Sequence, residues 1–266
     1  MAIKMHILAT ERGPMDAMRK TALVAGALYL VTIVTSIPAL VLYSPVLNDP
    51  NYIVGPGPDT GVLWGGFLEM ICAFACIGTA VVLYPVVKRH NEAAALGFVA
   101  ARVLEAAIIV AGIISLLAIV TLRQAATAGA DPDSLVTTGN ALVAIHNWTF
   151  LLGPGFIPAV NALLLGYLLY RTRLVPRVIP ALGLIGAPLL LLSATAVLFG
   201  LYPQVSVLSA MSAVPIFLWE GSLGLWLVVK GFKPSPLTAA TVTPGALTRK
   251  PPPGRRPGMR WDGPSG

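Results

Sequence analysis

Six runs of more than twenty residues, at about 21–43, 61–87, 93–122, 141–170, 178–201 and 207–229, each hold at most two fully charged side chains. A helix of about 20 apolar residues crosses the hydrocarbon core of a bilayer, so each run reads as a transmembrane span. The intervening stretches, "SPVLNDPNYIVGPGPDT", "KRHNE", "RQAATAGADPDS", "RTRLVPR" and "YPQVS", gather Pro, Gly, Asp, Asn and charge, the residues of turns. The predicted fold is all-α, an integral membrane bundle of six transmembrane helices. Composition agrees. Only 11% of residues are charged, against roughly 25% in a soluble domain, and 56% are hydrophobic, so too little polar surface exists to cover a water-soluble globule.

A net charge of +7 would interest a student of nucleic-acid binding. Such binding needs a basic face on a soluble domain, whereas these basic residues sit at span ends, so no nucleic-acid partner is expected. Their distribution instead reports topology, because cytoplasmic flanks retain Lys and Arg during insertion. Sixteen of the 18 lie before the first span (Lys4, Arg12, Arg19, Lys20), in the second loop (Lys88, Arg89), in the fourth loop (Arg171, Arg173, Arg177) or after the last span. The first, third and fifth loops hold only Arg123, and Arg102 lies inside a span. An even number of helices, N-in and C-in, satisfies this alternation. Residues 1–14 read as an appendage ahead of the basic "MRK" flank, 15–233 as the transmembrane domain, and 234–266 as a disordered basic cytoplasmic tail rich in Pro and Gly. The first run exceeds the 7 to 15 apolar residues of a signal-peptide core and is expected to stay attached.

The ionisable residues inside the spans carry the functional interest. At about 1.5 Å per residue, Arg102 lies about 13 Å and Glu105 about 18 Å from the cytoplasmic start of the third span. Glu69 lies about 12 Å, Glu220 about 20 Å and His146 about 8 Å below the opposite face on the second, sixth and fourth spans. A lone charge at the bilayer centre costs at least about 2.5–3.5 kcal/mol, so these groups are expected to turn inward and meet. Arg102 can accept two carboxylates through its forked guanidinium, with Glu105, Glu69 and Glu220 as candidates. Three Glu against one Arg leave two excess negative charges, which calls for a proton, water or a bound cation. The candidate intramembrane polar cluster is therefore Glu69, Arg102, Glu105, His146, Asn147 and Glu220. Trp148 is placed at the interface, leaving His146 and Asn147 partly wet.

In "HNWTFLLGPGFIPAVN" of the fourth span, Gly153, Pro154, Gly155 and Pro158 are expected to kink or interrupt the helix near mid-membrane. Broken helices line cavities and coordinate ions in transporters. Several chemistries leave no signature. The sequence has no HExxH, no G-x-S-x-G elbow and no P-loop, and "HNE" at 90–92 lacks a second histidine at zinc-binding spacing. Bis-histidine haem is excluded, His146 being the lone histidine in a span. The only cysteines, Cys72 and Cys76, share a helical face with Glu69 but indicate neither a disulfide framework nor a metal site. No catalytic residues, metal or cofactor are assigned.

At "DPNYIVGPGPDTGVLWGGFLEMI", "LYPVVKRHNEAAALGFVAARVLEAAII", "HNWTFLLGPGFIPAVNALLLGYLLYRTRLVPRVIPALGLIGAP" and "WEGSLGLWLVVKGFKPSP", the chain resembles a bacterial family of multi-pass membrane proteins known as domain of unknown function 4386. The resemblance spans about residues 15–235. It implies a fold and a place in the bacterial cytoplasmic membrane, and no activity. Three readings follow: a polar cluster that binds or conducts a small solute, ion or proton; a non-catalytic membrane component whose ion pairs serve assembly; and an intramembrane enzyme using Glu and His as acid and base. The expected partners are the lipid bilayer and, on the first reading, a small solute or proton.

Overall fold

A computed structural model describes residues 14–126 and 129–234. The expected appendage, apart from Pro14, and the expected tail beyond Pro234 lie outside the described residues. The described residues form seven α-helices and one π-helical turn: α1 (Pro14–Asn48), α2 (Thr60–Val87), α3 (Glu92–Ala126), α4 (Pro132–Phe150), the π turn (Leu151–Phe156), α5 (Ile157–Thr172), α6 (Val178–Leu198) and α7 (Val207–Val229). Because α4, the π turn and α5 run on without a break, the described residues form six helices long and apolar enough to cross a membrane.

Several helices outrun their apolar stretches. α1 and α3 extend past both ends of runs 21–43 and 93–122, and α4 begins at Pro132 rather than near 141. The reason is local. Asp131, in extended backbone, accepts from the Ser134 amide at 3.0 Å, and Pro132 occupies the first turn where its missing N–H costs nothing. A capped helix continues through polar residues regardless of where hydrocarbon ends. Ser206 caps α7 the same way, accepting from the Ser209 amide at 3.2 Å. α5 stops at Arg173, whose φ of 56° is left-handed.

Each span packs against its neighbours in sequence, and α1 closes on α7, so the six spans form a ring. Lipid offers no hydrophobic drive for helices to associate, so close approach must come from small residues. Gly26 of α1 faces Gly224 of α7 so tightly that a Cβ on Gly26 would sit 2.6 Å from the Gly224 carbonyl oxygen. Gly183 of α6 lies under the Trp219 indole of α7, where a Cβ would come within 2.8 Å of the ring. Outward, Val34, Phe74 and Leu192 stay exposed, as lipid-facing side chains should.

Two devices define the ends of the ring. At one, Arg19 donates to the carbonyls of Leu227 (2.9 Å), Val228 (2.6 Å) and Val229 (3.3 Å), satisfying orphan acceptors at the α7 C-terminus. The start of α1 and the end of α7 therefore share a side, as an even number of spans requires. The Lys233 amide donates to the Leu174 carbonyl at 2.7 Å, bringing the fourth loop to that side as well. At the other end, Arg123 ties the first loop to α3. It pairs with Asp59, donates to the carbonyls of Gly55 (2.7 Å) and Gly57 (2.9 Å), and lies over the Tyr52 ring at 4.5 Å. The loop thus carries Ile53 into an apolar cluster with Tyr43, Val62 and Leu116. A larger cluster around Tyr29, Leu83, Phe98 and Trp219 fills the end that carries the termini.

Candidate functional site

Between those two apolar layers lies the arginine. Arg102 of α3, 1% exposed, donates from Nη2 to Glu220 Oε1 of α7 at 2.6 Å and from Nη1 to Glu105 Oε2 at 3.1 Å. Glu105 stands one turn along the same helix, the spacing at which side chains meet. Its Oε2 also accepts from Asn161 Nδ2 of α5 at 2.7 Å. The guanidinium carbon sits 5.2 Å from the Tyr29 ring centroid of α1 and 5.9 Å from that of Phe98, so two aromatic faces flank the cation. Arg102 Nη1 also lies 3.6 Å from Cys76 Sγ of α2. Groups from α1, α2, α3, α5 and α7 thus gather about one buried cation, with α3 supplying the arginine and one of its carboxylates.

Glu69 of α2 takes a different partner. The Tyr43 hydroxyl of α1 donates to its Oε2 at 3.1 Å. Tyr43 in turn meets His146 edge-on, ring centroids 5.6 Å apart, and His146 stacks on Phe150. The histidine is buried, with Nδ1 3.4 Å from the Gly112 carbonyl oxygen. This differs from the partly wet position expected from its depth, because α4 begins two turns earlier and Tyr43 and Phe150 cover the ring. Asn147 and Trp148 are exposed on the outer flank of α4. Among the six residues of the sequence-derived cluster, the ion pairs join Arg102, Glu105 and Glu220. Glu69 enters through Tyr43, and Asn147 stands apart.

A cavity of about 270 Å³ opens beside these groups. Its wall includes Glu69, Cys72, Cys76, Arg102, Glu105 and Glu220 together with Thr32 and Ser36 of α1. The Gly-Pro segment forms another part. Here α4 does not break: Leu151–Phe156 widen into a π turn, which accommodates Pro154 without ending the span. Phe150, Pro154 and Pro158 all line the cavity, and each proline removes the N–H that the carbonyl four residues earlier would use. Gly153 packs against Ile108 of α3, where a Cβ would come within 2.8 Å. Two buried polar atoms near the ion pairs, Arg102 Nε and Asn161 Oδ1, have no hydrogen-bond partner among the described residues. No group of three His, Cys, Asp or Glu among those residues is placed to hold a metal ion.

Sequence reasoning missed Tyr29, Tyr43 and Asn161. The signal was faint but present. Asn161 interrupts an otherwise apolar "FIPAVNALLLG", and Tyr29 lies well inside its span, away from the interfacial belts where tyrosines usually gather.

A closed ring of six apolar helices carrying a compensated arginine in its interior defines a multi-pass integral membrane protein. Residues 24–231 match the family described as Domain of unknown function (DUF4386), and the chain belongs to that family. No curated protein and no solved structure matches it.

Proposed function

We propose that the bundle binds or conducts a small solute, ion or proton through its interior, and that it lies N-in and C-in in the bacterial cytoplasmic membrane. One observation carries the reading: a cavity of about 270 Å³ whose wall bears Arg102, Glu69, Glu105 and Glu220. A purely structural ion pair needs only close packing and well-aligned hydrogen bonds to offset its desolvation cost, and no open space beside it. Ionic groups left facing a cavity inside a membrane mark a pathway or a binding site. The basic end that carries Arg19, Lys88, Arg171 and Arg173 is the cytoplasmic one on the positive-inside rule.

Assembly is the second reading. Arg102 joins α3 to α7, spans that are not sequence neighbours, and so fixes the register of the ring. The enzyme reading finds less support, because Tyr43 stands between His146 and Glu69 and no acid–base pair is formed by those two residues.

Purified protein in proteoliposomes distinguishes the first two. A pH jump or an uptake assay should respond to Glu69→Gln in protein that still elutes as a folded species. Unchanged fluxes with full stability in that variant, and misfolding confined to Arg102→Ala, would favour assembly.

A further inference from the structure

Charge and shape of the cavity narrow its guest. The two terminal nitrogens of Arg102 each hold a carboxylate, Glu105 and Glu220, so the charge of the wall's arginine is already compensated within the wall. Among the described residues Glu69 meets no cationic side chain, only the Tyr43 hydroxyl. Formally the wall carries one positive and three negative groups, which repels anions and attracts a cation. Most of the remaining wall is apolar, including Ile37, Leu40, Ile109, Phe150 and Phe217. Phe150 and Phe217 are aromatic, and a phenyl ring can attract a positive charge. A bare metal ion would leave those surfaces unused. An organic cation with an apolar body uses both.

The route follows from which wall residues are also exposed. Ser36, Ile37 and Leu40 of α1 and Phe217 of α7 belong to the cavity and to the outer surface of the ring. α1 and α7 touch closely at Gly26 and Gly224, toward the end that carries the termini, and these four residues lie farther along both helices. The apolar layers around Trp219 at one end and Ile53 at the other separate the cavity from the two aqueous sides. The opening therefore faces the acyl chains.

We propose that the cavity between α1 and α7 is a binding site for a small lipophilic organic cation, a protonated or quaternary amine with an apolar body, entering laterally from the bilayer and placing its charge against Glu69. This rests on the reading of the cavity as a binding site and adds its chemical class. A volume of about 270 Å³ sits just below the range of about 300–1,000 Å³ that holds drug-sized ligands, so the guest is small.

The test uses the full-length protein in nanodiscs, with radiolabelled phenyltrimethylammonium as probe and empty nanodiscs as the partitioning control. Its neutral isostere, tert-butylbenzene, and the anion benzoate serve as competitors. Saturable binding of the cation is expected, displaced by neither competitor at equal concentration. Glu69→Gln should weaken it at least about tenfold, since it removes one side of a buried charge pair. Ser36→Trp, at an exposed mouth position, should slow association, while Val81→Trp on the lipid face of α2 should not. Cation binding no tighter than that of the isostere, or unaffected by Glu69→Gln in folded protein, would overturn the proposal. If no cation binds while Glu69→Gln still abolishes a pH-jump flux, the chemical class fails and the pathway reading stands. Loss of both results would sink the two together.

Discussion

Arg102 and Arg123 are the two arginines of α3, and each meets a carboxylate and a tyrosine ring, yet they do different work. Arg123 holds one loop at the rim, paired with Asp59 and reaching the carbonyls of Gly55 and Gly57. Arg102 sits in the interior, where Glu105, Glu220, Tyr29 and Asn161 bring four further spans or turns of helix to one point. The contrast is one of solvent. At the rim water and ions take over whatever a mutation releases, whereas in the interior no solvent is at hand, so the same chemistry becomes a requirement on the whole ring.

Arg102→Ala is accordingly the largest expected perturbation. It strands Glu105 and Glu220 without their cation, and removing one partner of a buried pair costs about 3–5 kcal/mol. Thermal unfolding in a mild detergent should show a collapse of the folded fraction, and Arg102→Lys should restore only part of it, since an ammonium cannot present two parallel donors. Retention of wild-type stability would erase the distinction between the two arginines. Tyr29→Leu comes next. It leaves a smaller apolar side chain in a fully buried place and removes the face against the guanidinium, at about 2–3 kcal/mol for the desolvated contact and the space left behind, read by the same unfolding assay.

Arg123→Ala should cost less, about 1–2 kcal/mol, the sum of a partly exposed ion pair and two hydrogen bonds. Its signature is local and salt-dependent: hydrogen exchange should accelerate in residues 49–59, and high salt should reproduce part of that effect in the wild type. The smallest effect is alkaline. Burial against the loop, more than any charge, raises the Tyr52 hydroxyl above its ordinary pKa, although Arg123 pulls the other way. A group whose folded pKa is raised contributes its stability in full below the unfolded value and loses it as pH climbs past that value, about 10 for tyrosine. Protection in 49–59, taken relative to the intrinsic exchange rate at each pH, should therefore begin to fall above about pH 10, and Tyr52→Phe should remove that fall.

How much of this was legible beforehand follows from the same contrast. The spans announce themselves because hydrocarbon demands about 20 apolar residues in a row, and an ionic residue inside such a run is conspicuous for the same reason. Arg102, Glu105 and Glu220 could therefore be picked out and ranked by depth. What depth does not give is azimuth. A lipid-solvated span has no polar face to contrast with its apolar one, so nothing in the sequence said that Glu69 would turn to Tyr43 rather than to Arg102, or that Asn147 would stay on the outer flank of α4. Pro154 and its glycines signalled an irregularity, yet the sequence could not distinguish a broken helix from a π turn, because both relieve the same missing N–H. The rim was hidden for another reason. Arg123 was visible only as the one basic residue on its side, and its partners lie 64 to 68 positions earlier in the chain.

The central claim is that charges from separate spans compensate one another across the interior of the ring, and a double-mutant cycle on Arg102 and Glu220 in a lipid bilayer tests it most directly. With Arg102→Ala, Glu220→Gln and the combined variant measured by reversible unfolding, direct contact across α3 and α7 predicts a coupling of about 1–3 kcal/mol. A coupling indistinguishable from zero would mean that the two side chains do not meet, and would contradict the account.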